Sequence, residues 1–278
     1  MGSLMVQGTS SGAGKTILVA ALCRIFSDRG LSVAPFKSQN MSGFSYRGTG
    51  FEISRAQAVQ AVAARCSMSS DLNPILLKPL GNYYSMVFLN GKKFKRMHAS
   101  EYYEKFALTR GLNTAMDSFG RLQKTHDLVV LEGAGSPAEI NLQRYDIANM
   151  RIAKKTNSPV LLISDIDRGG SFASLVGTLS LLHYRHRAMV KGIIINKFRG
   201  DISILEPGLE KLSRLTKKQV LGVIPMADFD LPEEDSLEGR AVPFVWDKNG
   251  LKRLDRQIAK VARLVEKNLN IGQIARLL

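Results

Sequence analysis

The chain has 278 residues, 45% of them hydrophobic and 23% charged, the proportions of an ordinary globular protein with length enough for one large α/β domain. No apolar run approaches the roughly 18 residues that cross a bilayer and no basic-then-apolar leader opens the chain, so a cytoplasmic protein with no membrane partner is expected. A formal net charge of +15 favours an anionic partner; without an aromatic-interleaved or helix-turn-helix motif, nucleic acid is not the expected one.

The first predicted strand, Leu4-Met5-Val6, runs into Gln7-Gly8-Thr9-Ser10-Ser11-Gly12-Ala13-Gly14-Lys15-Thr16, which an apolar helix pattern (Ile17, Leu18, Ala21, Leu22, Ile25) follows. Strand, glycine-rich turn and helix in that order read as a phosphate-binding P-loop. Backbone N–H groups of Gly12, Ala13 and Gly14 can turn towards phosphates at the positive end of the helix, Lys15 can reach the β/γ-phosphates, and Thr16 can ligate Mg²⁺. Five residues rather than four separate Gly8 from Gly14. ATP or GTP is the expected ligand.

Leu31 to Phe36 reads as a second buried strand that delivers Lys37 to the same edge, either towards the phosphates or as an exposed strand-end lysine. Ile53 to Cys66 is predicted helical and Met86 to Gly91 a strand, with Lys92, Lys93, Lys95 and Arg96 at the turn after it. Glu101 to Leu122 is predicted mostly helical. Cys23 and Cys66 lack C-x-x-C spacing and read as buried thiols.

Leu128 to Leu131 is an apolar strand ending in Glu132-Gly133-Ala134-Gly135. Read alone, Glu132 is a loop cap as readily as a ligand; beside a P-loop its carboxylate suits Mg²⁺. Asp146 opens a helix pattern and is either its N-terminal cap or a site residue. Pro159 to Ser164 and Lys191 to Ile195 are further strands, the second followed by Asn196, which can read an adenine edge or serve as a turn residue. His183 and His186 are three apart, but flanking Arg185 and Arg187 disfavour a metal. Gln219 to Pro225 is the last strand, Glu233 to Gly239 an acidic loop, and Leu251 to Leu269 a basic amphipathic helix read as an appendage. The expected fold is α/β and P-loop NTPase-like, a mostly parallel sheet with helices on both faces; the domain is drawn over 1–240, with 241–278 as a basic helical tail or linker.

The altered P-loop spacing is similar to that of dethiobiotin synthetase and its relatives. Together with Pro35 to Met41, Asn73 to Pro79, Glu132 to Leu142, Asp165 to Ala173, Ile195 to Asp201 and Pro232 to Ser236, the chain resembles the N-terminal synthetase domain of the cobyric acid synthase family over most of residues 5–240. The resemblance implies ATP and Mg²⁺ as cofactors and a corrinoid polycarboxylate, adenosylcobyrinic acid a,c-diamide, as substrate, its carboxylates amidated through an acyl phosphate. It implies catalytic roles for Lys15, Lys37, Glu132 and Asp146, with Thr16 and Glu132 on the metal. Ammonia comes in that family from a glutamine amidotransferase domain, and no cysteine follows Cys66 to serve as its nucleophile, so that domain is expected to be absent from this chain: either the chain is a piece of a longer protein, or the glutaminase is a separate polypeptide, or free ammonia is used. A homodimer is left open. Cobyrinic acid a,c-diamide synthase or dethiobiotin synthetase stays a neighbouring alternative. So does a ParA/MinD-like ATPase switch, although Ser10 stands where those proteins carry an additional lysine.

Overall fold

The computed structural model describes residues 1–232 and 244–278. The chain runs β1 (Gly2–Gly8), α1 (Lys15–Asp28), β2 (Val33–Phe36), β3 (Gln39–Met41), β4 (Ser45–Gly48), β5 (Phe51–Ser54), α2 (Arg55–Ala64), β6 (Ile75–Gly81), β7 (Tyr84–Leu89) and β8 (Lys92–His98). A single turn, α3 (Ala99–Glu101), passes through a wider π-helical stretch (Tyr102–Gly111) into α4 (Leu112–Thr125). Then follow β9 (Leu128–Glu132), α5 (Met150–Lys155), β10 (Val160–Asp165), α6 (Ser171–Leu181), α7 (Tyr184–Met189), β11 (Val190–Phe198), α8 (Ile202–Thr216), β12 (Val220–Pro225), α9 (Lys248–Asn268) and α10 (Ile271–Ala275).

Six strands form one parallel sheet in the order β12-β11-β10-β1-β9-β2. Both faces are covered, which is why its central strands read as continuous apolar runs rather than alternating ones. The two-residue period divides their side chains all the same. Leu4, Val6, Leu128, Val130, Leu161 and Ile163 pack with Leu18 and Leu22 of α1 and with Leu254 and Ile258 of α9. Met5, Val129, Leu131, Val160 and Leu162 pack on the other side with Phe119 of α4, Ile152 of α5 and Leu175 of α6. The α/β P-loop architecture expected from the sequence is present, and because all six strands are parallel, Gly8, Phe36, Glu132, Asp165 and Phe198 finish at one edge.

A second sheet, β3-β6-β7-β8, and a hairpin, β4-β5, are built from the long crossover between β2 and β9. Here the expected position of the basic cluster needs correcting. Asn90 and Gly91 both take positive φ (48° and 74°), the pair of left-handed residues that a tight hairpin requires, and Lys92, Lys93, Lys95 and Arg96 therefore lie on β8, paired with β7.

The helix expected as a basic tail is packed onto the domain. Leu254, Ile258, Val261 and Val265 are buried against α1 while Lys252, Arg256, Lys260 and Arg263 stay outside, and the buried Arg24 of α1 pairs with Asp255. The acidic run Glu233 to Gly239 and the boundary drawn at 240 lie outside the described residues. No described helix is long and apolar enough to cross a membrane.

Candidate active site

The P-loop is shaped by close approaches that two glycines allow. Gly14 has φ 100°, and a Cβ there would lie 2.1 Å from Nδ2 of Asn196, so both conformation and space demand glycine. At Gly8 a Cβ would sit 3.0 Å from Nζ of Lys15, because the lysine folds back across the loop. Its ammonium donates to Ser10 O (2.8 Å) and to Gly135 O (3.0 Å), the second of these in the loop after β9. Lys15 is thus already drawn inward, 6% exposed, over the backbone groups that would meet phosphates.

Glu132 lies at the centre of a buried polar network. Its Oε1 accepts from Nζ of Lys37 at 2.7 Å and from Oγ1 of Thr16 at 2.9 Å, and its Oε2 accepts from Nε2 of Gln60 at 2.5 Å. Gln60 also donates to Thr16 O at 3.2 Å. Behind it, Gln57 donates to Gln60 Oε1 (3.3 Å), and Asn40 donates to Gln57 Oε1 (3.1 Å) and to Ser54 Oγ (2.7 Å). Asn73 fixes the strand end that carries Lys37, donating to Lys37 O at 3.0 Å and accepting from Ser54 N at 3.1 Å. Such a carboxylate can exist ionised in the interior because its lone pairs are met by a cation and by hydrogen bonds. The alternative of Lys37 as an exposed strand-end lysine is set aside by its 4% exposure.

The turn after β9 is held by a second set of contacts. Asn149 accepts from Ala134 N (3.1 Å) and donates to Ala134 O (2.7 Å). Asp146 accepts from the N–H groups of Ala148 (2.8 Å), Asn149 (2.7 Å) and Arg151 (3.0 Å). Both oxygens of Asp146 are thus engaged by backbone N–H groups, one of them in the first turn of α5, although the N-cap position of that helix falls on Asn149 rather than on Asp146.

On the other flank, Asn196 and Lys197 belong to β11 itself rather than to the loop after it. Asn196 donates to Ala13 O (2.9 Å), and Lys197, with φ 60°, donates to Gly12 O (2.9 Å) and pairs with Asp165 (2.7 Å). The chain thus brings Gly12, Ala13, Gly14, Lys15, Thr16, Lys37, Glu132 and Asn196 together at one edge, with Asp146 reaching them through Asn149. Gln60, Asn149 and Lys197 were not singled out from the sequence. Two signals could have drawn notice: Gln57 and Gln60, three apart in an otherwise Ala/Val-rich helix, and Lys197 directly after Asn196.

Among the described residues no group of three or more His, Cys, Asp or Glu could hold a metal ion; the ring centroids of His183 and His186 are 6.2 Å apart. The oxygen pair of Thr16 and Glu132 is of a different kind. One hydroxyl and one carboxylate suit Mg²⁺, which keeps waters and phosphate oxygens for its remaining positions.

A parallel sheet with Lys15 and Thr16 opening the helix after β1, and an acidic residue closing the neighbouring strand, defines a P-loop nucleotide-binding protein. Residues 4–237 match the family model of the CobQ/CobB/MinD/ParA nucleotide binding domain. Within that group the chain belongs to the cobyric acid synthase family. It is 55% identical over 238 residues to the probable cobyric acid synthase of Thermococcus kodakarensis, covering 84% of this chain and 49% of that protein. It is 54% identical to the cobyric acid synthase of Caldanaerobacter subterraneus subsp. tengcongensis, covering 85% and 46%, and 47% identical to that of Sorangium cellulosum, covering 97% and 55%. The chain spans about half the length of these curated relatives.

Proposed function

We propose that this chain uses ATP to activate side-chain carboxylates of a corrinoid, adenosylcobyrinic acid a,c-diamide, for amidation in cobalamin biosynthesis. The observation that carries the reading is the convergence of Lys37, Thr16 and Gln60 on the buried Glu132, immediately beside a P-loop whose lysine is folded inward.

A carboxylate is a poor electrophile, since its leaving group would be oxide. If its oxygen attacks the γ-phosphorus of ATP, ADP departs and an acyl phosphate forms. Ammonia then adds to the acyl carbon, phosphate leaves, and a proton is lost from nitrogen. The protein's task is to position the reactants and neutralise charge. The N–H groups of residues 12–16 and Lys15 would bind the β/γ-phosphates. Lys37 would shift part of its hold from Glu132 to the transferred phosphoryl group, and Gln60 would keep the carboxylate of Glu132 oriented. Mg²⁺, held by Thr16 and Glu132, would neutralise phosphate charge. Asn196, through Ala13, and Lys197, through Gly12, would fix the loop beside the base. Asp146 would maintain the loop that faces the acceptor; a direct proton-accepting role would require it to give up backbone partners.

The test is ADP formation with ATP and Mg²⁺, measured with a corrinoid polycarboxylate, with duplex DNA and with anionic lipid vesicles. Stimulation by the corrinoid, with a mass gain in the product, is expected. Stimulation by DNA or lipid alone would replace this reading with an ATPase switch.

A further inference from the structure

Asn149 joins three features that nothing in the chemistry above requires to coincide. Its side-chain amide pairs with both backbone groups of Ala134, as a neighbouring strand would. Its backbone is tied as well: Asp146 accepts from the N–H of Asn149 and from the N–H groups of Ala148 and Arg151. On the other side Gly133 leaves no room for a side chain, since a Cβ there would lie 2.3 Å from Oδ1 of Asn149.

What this clamp holds is the carbonyl of Gly135, one residue beyond Ala134, on which Lys15 Nζ rests at 3.0 Å. P-loop lysines reach the β/γ-phosphates, so with Lys15 resting on Gly135 O the Gly133 to Gly135 turn would face the β/γ end of a bound nucleotide. We infer that Asn149 is a positioning residue that sets this turn for the γ-phosphate, acting through Ala134 and Gly135 rather than by touching substrate. The inference rests on the nucleotide reading above. It goes beyond it in separating a triphosphate-sensing contact from general nucleotide affinity.

The experiment is calorimetric titration of this chain, in Mg²⁺ buffer, with ADP and with the non-hydrolysable ATP analogue AMP-PNP. Wild type is compared with Asn149→Ala, the isosteric Asn149→Asp, Gly133→Ala and Gly133→Ala/Asn149→Ala. Losing two hydrogen bonds should weaken AMP-PNP about tenfold more than ADP in Asn149→Ala. Asn149→Asp, which sets a carboxylate oxygen against Ala134 O, should change the ratio in the same direction and serves if the alanine variant melts too low to titrate. Gly133→Ala should mimic Asn149→Ala, and its effect should be smaller in the Asn149→Ala background, where the clashing oxygen is gone. Equal weakening of both nucleotides, no weakening, or strict additivity would overturn the positioning role while leaving the nucleotide reading intact. Wild type binding neither nucleotide would overturn both.

Discussion

Lys37 and Glu132 form an ion pair inside the protein, Nζ to Oε1 2.7 Å, with side chains 5% and 0% exposed. Charges this deep are stable only together, and removing one partner strands the other. Glu132→Gln should therefore lower stability by about 3 kcal/mol through the uncompensated lysine, and should lower turnover more than nucleotide affinity. The double variant Lys37→Met/Glu132→Gln should recover much of the melting temperature and none of the ADP release. If nucleotide affinity alone changed in Glu132→Gln, Glu132 would be a binding residue rather than part of the catalytic apparatus.

Lys15→Ala should abolish ATP-dependent chemistry at little cost to the fold. The lysine is buried, but Ser10 O and Gly135 O, to which it donates, lie in turns where water can replace it. Melting should fall by only about 2–4 °C, equivalent to roughly 1 kcal/mol in a chain of this size. Turnover near that of wild type would defeat the P-loop assignment.

Gln60→Leu tests the part of the network that the sequence did not reveal. The substitution keeps an apolar stem but removes the donor to Glu132 Oε2 and to Thr16 O. A buried carboxylate that loses a hydrogen bond costs about 1–3 kcal/mol, so a lower melting temperature and slower corrinoid-dependent ADP release are expected together. Unchanged turnover would show Gln60 to be structural only.

Legibility followed the kind of physical signal available. Lys15, Thr16 and Glu132 stand at fixed offsets from apolar strands, and parallel pairing carries such strand ends to one edge, so their meeting follows from local pattern. Gln60 had no such signal. The α2 helix is buried on nearly all sides, including Arg55, Gln57 and Gln60, and with no exposed face there is no amphipathic period to mark an inward polar residue. Asn149 likewise depends on a contact 15 residues away along the chain. The α9 helix is amphipathic, as its sequence pattern predicts, but an apolar stripe by itself does not name α1 as the surface it covers.

Acid should loosen the β4-β5 hairpin. Burial raises the carboxyl of Glu52, but hydrogen bonds from Lys78 and Ser45 and the charges of Lys78 and Arg47 outweigh it, leaving its pKa below the ordinary 4.5. A group lowered on folding contributes stability that is complete above the unfolded value and is lost as pH falls through the folded one. The stability difference between wild type and Glu52→Gln should therefore shrink between neutral pH and about pH 3. A difference constant over that range would remove Glu52 as a pH-dependent tie.

This 278-residue chain should show no glutaminase activity, yet should form ADP and an amidated corrinoid when ammonium salts are supplied. A glutamine-hydrolysing nucleophile must be a thiolate, accessible and held at a lowered pKa. Neither cysteine of the chain meets that description. Cys23 is fully buried in α1, and burial drives its pKa well above the ordinary thiol value. Cys66 is half-buried, and burial pushes its pKa up to about 11. The residues proposed for activation include neither thiol, and Lys15, Thr16, Lys37 and Glu132 already lie at one edge of the sheet. Ammonia rather than glutamine is the species that attacks an acyl phosphate, so supplying it directly should bypass any need for a glutaminase. The measurement is ADP release and corrinoid mass with the a,c-diamide, comparing glutamine with ammonium. Amidation supported equally by glutamine would contradict the reading of the two thiols, and ADP release that ignores the corrinoid with either donor would contradict carboxylate activation.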